Sequence, residues 1–358
     1  MTKLPFYARV ALILFAISLV LLFMWMGKSI LIPLFFAFLI SILLHPVVIF
    51  LEKIHFPRAV ASLVTVLIFL ILIAGLFYFF SRQVVRLSKD LPTLQAKVSD
   101  QLQQSRDWIY NKYHINGTDQ TAYVKKSANG ILGSAVNSAA TTFVGIAETF
   151  ILTIFFFIFS FFILYYRRLL MRFLLALFDE AHNTRVSGVV MKVRSLINGY
   201  VLGLLMEMLV LVILIFSTLM ILGIKYALLL SVMAAVLNII PYFGIYLSLV
   251  FAMIVTLASN SGGAAITVGI VFIAAHFVDA NVILPRIVGG QVKLNPFITL
   301  LAVLTGHLLW GVPGMFLFIP LTAMIRLISD ELPGMEPWAI LLGEEKYASR
   351  KKRRNRKL

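Results

Sequence analysis

The chain has 358 residues, of which 61% are hydrophobic and only 13% charged, with a mean hydropathy of +0.98. Soluble domains carry about a quarter of their residues as charges, so repeated apolar runs of bilayer length exclude a water-soluble fold and predict an all-α polytopic membrane protein. The absence of cysteine excludes disulfide frameworks and thiolate chemistry. The net charge of +16 is unevenly placed: eight of the 31 Lys and Arg lie between Lys346 and Lys357, a distribution that predicts topology signals and contact with anionic headgroups and no nucleic acid partner.

Eight membrane segments are expected. They run from Val10 to Met26, Ile30 to Leu51, Ala59 to Phe80, Ile146 to Tyr166, Tyr200 to Leu222, Tyr226 to Ala258, Ala264 to Leu284 and Pro296 to Ile328. The first follows Lys3 and Arg9 without a cleavage-site pattern, as a retained signal anchor does. An even number places both termini on one side. Basic residues in the short loops put that side in the cytoplasm: Lys53, Arg58, the group from Arg167 to Arg194, and the tail RKKRRNRK from Arg350 to Lys357.

The domain organisation predicted from these segments has four parts. Residues 1–80 hold three transmembrane helices, 81–145 form an extracytoplasmic helical insert, 146–345 form a core of five membrane segments, and 346–358 are a basic tail. In the insert, Val84, Leu87, Leu91, Leu94 and Val98 recur at heptad spacing, which predicts a helix packed on another helix of this chain or of a second copy. Within the core, apolar and basic residues alternate at helical spacing over 168–198, as in interfacial helices on the inner face.

The sixth and eighth segments each run to about 33 residues where roughly 20 cross a bilayer. Both contain helix breakers: NIIPYFG from Asn238 to Gly244, and GVPG from Gly311 to Gly314. Each is either a kinked span or includes a re-entrant piece, and paired breaks of this kind point to a transport site. At the first break, Pro241 cannot donate a backbone hydrogen bond and Gly244 permits unusual dihedrals. Freed carbonyls there would coordinate a cation or a hydroxylated solute, or the break is a packing kink alone.

Three acids lie inside membrane segments: Glu148 at an interface, and Glu207 and Asp279 nearer mid-span. A carboxylate at mid-bilayer costs about 2.5 to 3.5 kcal/mol on insertion scales, so the latter two are candidates for an ion or proton site, or for half of an interhelical polar contact. His276 precedes Asp279 by three residues and shares its helix face, and Asn281 follows. A carboxyl and an imidazole so placed could exchange a proton. No HExxH, GxGD, GxSxG or GxxxxGK[ST] pattern is present, so neither an intramembrane enzyme nor ATP hydrolysis is expected, and no metal or cofactor is implied.

Three ordered motifs carry a resemblance: NIIPYFG at 238–244, DANVILPRIVGGQVKLNPFITLLAVLTG at 279–306 and GVPGMFLFIPLTA at 311–323. Together they resemble the AI-2E family, the autoinducer-2 exporter superfamily of prokaryotic membrane proteins, over nearly the whole chain. The resemblance implies a multi-pass protein of the cell (inner) membrane that moves a small solute without ATP. It implies either export of a polar signal such as autoinducer-2, or extrusion of sodium or lithium in exchange for protons. A homo-oligomer, a pentamer in one form, is also implied. The family positions carried over are Asn238, Pro241, Gly244, Asp279, Asn281, Pro285, Gly289, Pro296 and Gly306; Tyr242, His276 and Asn295 are counted with the expected pathway, and Glu207 joins it from the residue argument alone. His276 stands where the family pattern has Gln, Asp279 where Glu is commoner, and Asn295 where His is frequent. The alternatives are a passive or gated export channel, in which the acids set selectivity without titrating, and a non-transporting membrane scaffold.

Overall fold

The computed structural model describes residues 5–113, 146–240, 244–287, 292–332 and 334–344; for 91–113 and 146–150 the description is of the backbone alone. Among these residues every extended element is a helix, and the only β contact is one isolated bridge between Leu294 and Gly343. The helices are α1 (Phe6–Met26), α2 (Lys28–Lys53), α3 (Arg58–Tyr113), α4 (Ile146–Tyr165), α5 (Arg167–Ala176), α6 (Asn183–Ile221) and α7 (Ala227–Leu237). They continue with α8 (Gly244–Ser259), α9 (Gly262–Val278), α10 (Leu284–Ile287), α11 (Pro296–Glu331) and α12 (Glu336–Leu342). Six stretches have the length and apolarity to cross a bilayer, and the bent pair Ile151–Tyr165 and Arg167–Ala176 makes up to seven. The chain is a multi-pass helical membrane protein.

Two compact units divide the chain, and α3 and α6 each run from one into the other. The first comprises Met1–Leu67, Thr149–Leu202 and Gln291–Leu358. Its central feature is α11, which is not a straight helix. Gly311 has φ 65° and ψ −143°, and a Cβ added to Gly306 would lie 2.2 Å from the Gly314 carbonyl oxygen. Eight residues along a straight helix are about 12 Å apart, so the backbones of Gly306 and Gly314 touch only because the chain folds back at Gly311. A positive φ there is open to glycine at little cost.

The turn of this hairpin is held by apolar and aromatic contacts. The Trp310 indole donates to the Met24 carbonyl at 2.8 Å and packs against Phe35 and Phe318, while Phe36 stacks on Phe316. At its other end, the carboxylate and backbone carbonyl of Glu331 accept from Lys192 and Arg185 respectively. Arg167 donates to both oxygens of Glu52 at 2.6 and 2.7 Å, joining the start of α5 to the end of α2.

The second unit comprises Ile68–Glu148 and Gly203–Gly290. Here the long sixth segment also resolves into a hairpin. α7 has 11 residues and α8 has 16, and the Asn260 amide beyond α8 donates to the Gly223 carbonyl before α7 at 3.3 Å. The two outer ends therefore meet, and the chain turns back inside. Eleven residues of helix rise about 16 Å, roughly half of the hydrocarbon thickness. The hairpin packs through Leu230, Ala234, Ile245, Ala252 and Val255, with Phe272 of α9 and Ile215 and Leu219 of α6 in the same core.

α3 runs without a break from its apolar part, Arg58–Leu87, into the polar stretch ending at Tyr113. Leu87 is buried in the core of the second unit with Phe80 and Val84 packed against it, so the beginning of the heptad seam finds its partner within this chain. The rest of the seam, residues 114–145, Glu148 and the basic tail lie outside the described side chains. Asp90 accepts from Lys225 at 2.8 Å and from the Tyr226 hydroxyl, tying α3 to the base of the α7–α8 hairpin.

Candidate functional site

Three polar side chains meet at the turn of the α7–α8 hairpin. Asn238 ends α7, its backbone N–H bonded to the Ala234 carbonyl. Its side-chain amide donates to Oε1 of Glu207 at 2.9 Å and to Oδ2 of Asp279 at 3.1 Å. Both carboxyl residues are only 4% exposed. The second oxygens, Oε2 of Glu207 and Oδ1 of Asp279, are buried and have no hydrogen-bond partner. One amide has thus used both of its donors while two carboxyl oxygens remain unsatisfied, and such groups are costly in a low-dielectric setting.

Each member is held from its own helix by an apolar residue one turn away. Leu211 follows Glu207 by four residues, Ala235 precedes Asn238 by three and Ile283 follows Asp279 by four; these three form one buried cluster with Met208, Val212 and Ile287 around them. The spacing puts each pair on one face, so apolar packing fixes the helices at the distance at which the polar atoms meet. Glu207 lies fourteen residues before the end of α6 and Asp279 seventeen after the start of α9, or roughly 21 and 26 Å of helix.

Asp279 also opens a single wide turn, Asp279–Ile283, in which the Leu284 N–H reaches the Asp279 carbonyl. The cause is local. Pro285 has no N–H for the Asn281 carbonyl four residues earlier and its ring crowds that position, so the ladder shifts register upstream. Turns of this type recur at functional sites because they re-aim side chains.

The other expected residues divide. Gly244 starts α8 against the Leu237 carbonyl, where an added Cβ would lie 1.7 Å from the oxygen, so only glycine fits at this close approach. The side chain of Asn281 is exposed and donates to its own helix at the Phe277 carbonyl, 2.8 Å away, so it does not join Asp279. His276 shares the face of Asp279, but Asp279 accepts from Asn238 instead; the His276 Nδ1 is buried without a partner and its ring meets Tyr246 edge-on at 6.0 Å. Asn295 caps α11 by accepting from the Phe297 N–H at 2.8 Å, and Pro296 takes the first helical position. Gly306 serves the fold-back of α11. Pro241 and Tyr242, like Gly289 of the motif, lie outside the described residues. Sequence reasoning did not anticipate Tyr246 beside His276 or Asp90 at the hairpin base, since an isolated Tyr and a loop-side Asp carry no local signal of their partners.

Comparison with known proteins follows the same outline. The sequence pattern described as AI-2E family transporter matches residues 13–334. The chain belongs to the AI-2E transporter family. It is 25% identical over 309 residues to "Putative transport protein YrrI" of Bacillus subtilis, covering 84% of this chain and 86% of that protein. The like-named MT0215 of Mycobacterium tuberculosis is 26% identical over 320 residues, 87% of this chain and 85% of that protein. A third relative, "AI-2 transport protein TqsA" of Escherichia coli, is 27% identical over 123 residues, 34% of this chain and 36% of that protein. Membership of this family and the helical membrane fold make the AI-2E chain a transport protein.

Proposed function

We propose that this AI-2E protein is a secondary transporter of a prokaryotic cell membrane, with both termini cytoplasmic, that exchanges sodium or lithium for protons through Glu207, Asn238 and Asp279. The observation that carries the reading is the pair of buried carboxyls held by one amide, each with an oxygen left unpartnered. Two ionised carboxylates this close repel one another in a low dielectric. A proton on one of them, or a small hard cation between them, relieves that repulsion, and oxygen ligands suit such a cation. Proton and cation then compete for one place, which is the elementary requirement of exchange. The position at the turn of a hairpin supports the reading further, because backbone outside regular helix is tolerated at membrane depth only where protein or a cavity receives it.

Purified protein reconstituted in liposomes with a trapped pH-sensitive dye tests this. With an imposed proton gradient, added sodium or lithium collapses the gradient and potassium does less. Asp279→Asn and Glu207→Gln each abolish the response while leaving expression and elution volume unchanged. Full coupled transport by Asp279→Asn would sink the assignment.

A second reading, export of autoinducer-2, is favoured by the name of the TqsA relative. There the same polar trio would bind hydroxyl groups of the solute, and labelled solute would leave vesicles regardless of the cation gradient. A homo-oligomer, pentameric in the form proposed, is checked by light scattering of the detergent-solubilised chain.

A further inference from the structure

A second polar site is found in the first unit, where α4 breaks into α5. The two helices are bent by 67°, so α5 turns aside from the direction of the span that precedes it. In the angle sits a cavity of about 430 Å³ lined by Pro57 and Arg58 at the start of α3, Tyr165 and Tyr166 at the bend, and Arg168 and Arg172 of α5. A volume in this range accommodates a small polar group.

The charged residues lining this cavity are all basic, with Glu52 near enough to Arg58 and Arg168 to interact with both. Glu52 is paired with Arg167. Among the described residues none of the ion pairs involves Arg58, Arg168 or Arg172, and all three are exposed. Arg168 and Arg172 are four residues apart and therefore project from one stripe of α5, and both line the cavity together with Arg58. Guanidinium groups present planar forks that match the oxygens of a phosphate two at a time. Beside them, Leu169, Leu170 and Phe173 are more than 48% exposed, an apolar surface for which α5 itself has no cover: none of its residues is buried. Tyr165 and Tyr166 at the bend complete a composition that suits the headgroup level of a bilayer, where tyrosine is enriched.

We infer that this cavity binds the phosphodiester of an anionic phospholipid, with Arg58, Arg168 and Arg172 on its oxygens and the acyl chains along Leu169, Leu170 and Phe173. A free phosphate ion satisfies the guanidiniums but leaves the apolar face of α5 uncovered, which is why the lipid is the favoured source. The site is separate from the transport reading and stands or falls without it.

Native mass spectrometry of the full chain in detergent, with added dioleoyl-phosphatidylglycerol, dioleoyl-phosphatidylcholine or inorganic phosphate, tests it. Phosphatidylglycerol adducts survive at least tenfold better than phosphatidylcholine adducts, and millimolar inorganic phosphate does not displace them. A variant with Arg58→Gln, Arg168→Gln and Arg172→Gln loses most of that preference while keeping the basic tail; Arg172→Gln alone, which spares the fold if the triple change does not, lowers it about fivefold. Equal preference in wild type and the Arg172→Gln and triple variants overturns the site. Displacement by inorganic phosphate, with no preference between the two lipids, overturns the lipid as occupant.

Discussion

The two hairpins of this chain turn back by different means. In α11 the turn is apolar: glycine backbones in contact, an indole on a carbonyl, and stacked phenylalanines. In α7–α8 the turn carries Asn238, and two acids from α6 and α9 converge on it. The comparison separates a turn built from packed backbone and rings from one at which two buried carboxyls each keep an oxygen without a partner. Packing of the first kind is a structural solution to a break in the membrane. Unsatisfied carboxyl oxygens at the second are a cost, and it is this cost that the proposed cation or proton would relieve.

Close backbone approach makes the largest effects. Gly306→Leu or Gly314→Leu places atoms where the opposite arm's backbone already lies, and loses about 3 kcal/mol or more, seen as a collapse of monodisperse protein and of thermal stability in detergent. Gly75→Ala in α3 is the contrast: nothing lies within 4 Å of its added Cβ, so stability holds or rises by about 0.5 to 1 kcal/mol. At the polar turn, Asn238→Leu removes the single donor shared by two buried carboxyls and lowers stability by about 1 to 3 kcal/mol along with all coupled transport. Asp279→Asn, which keeps a hydrogen-bonding partner for Asn238, spares stability and loses transport, and that split distinguishes a binding site from a mere tie between helices. At the apolar turn, Trp310→Phe deletes one hydrogen bond to Met24 and costs about 1 kcal/mol without altering cation dependence.

The smallest effect is at the base of the α7–α8 hairpin. The Lys225 ammonium and then the Tyr226 hydroxyl, both donating to Asp90, hold its carboxyl below the usual carboxylate value, which is about 3.9 in an unfolded chain. A group lowered on folding contributes stability that is present above that value and lost as the pH falls through the folded one. Thermal scans of wild type and Asp90→Asn therefore differ slightly at pH 7 and converge as the pH falls through the lowered folded value, with high salt narrowing the gap at pH 7 because the pair is exposed.

Much of the architecture was legible along the chain because membrane helices are specified locally. Apolar length, the lack of water at depth and the helix-breaking residues Pro241, Gly244, Gly311 and Pro313 marked the segments and both interruptions. Whether an interruption kinks or reverses was not legible. That depended on Asn260 meeting Gly223 and on Gly306 meeting Gly314, contacts between residues far apart in number or brought together by one dihedral angle. The candidate site divided in the same way. Glu207 and Asp279 stood out because carboxyls are rare and expensive in apolar helices. Asn281 and His276 stood out by the same local criterion, yet the wide turn ahead of Pro285 left Asn281 bonded to its own helix while Asp279 met Asn238.

By itself, then, the order of residues determined the class, the helices, the places where they break and the carboxyls that stand out inside them, since each follows from a few neighbouring side chains and the energetics of a bilayer. The tertiary structure decided that the breaks are reversals and that one amide joins two acids on different helices. Those outcomes arise from which apolar faces pack together, Leu211, Ala235 and Ile283 among them, and packing between distant segments has no signature in any single stretch of chain.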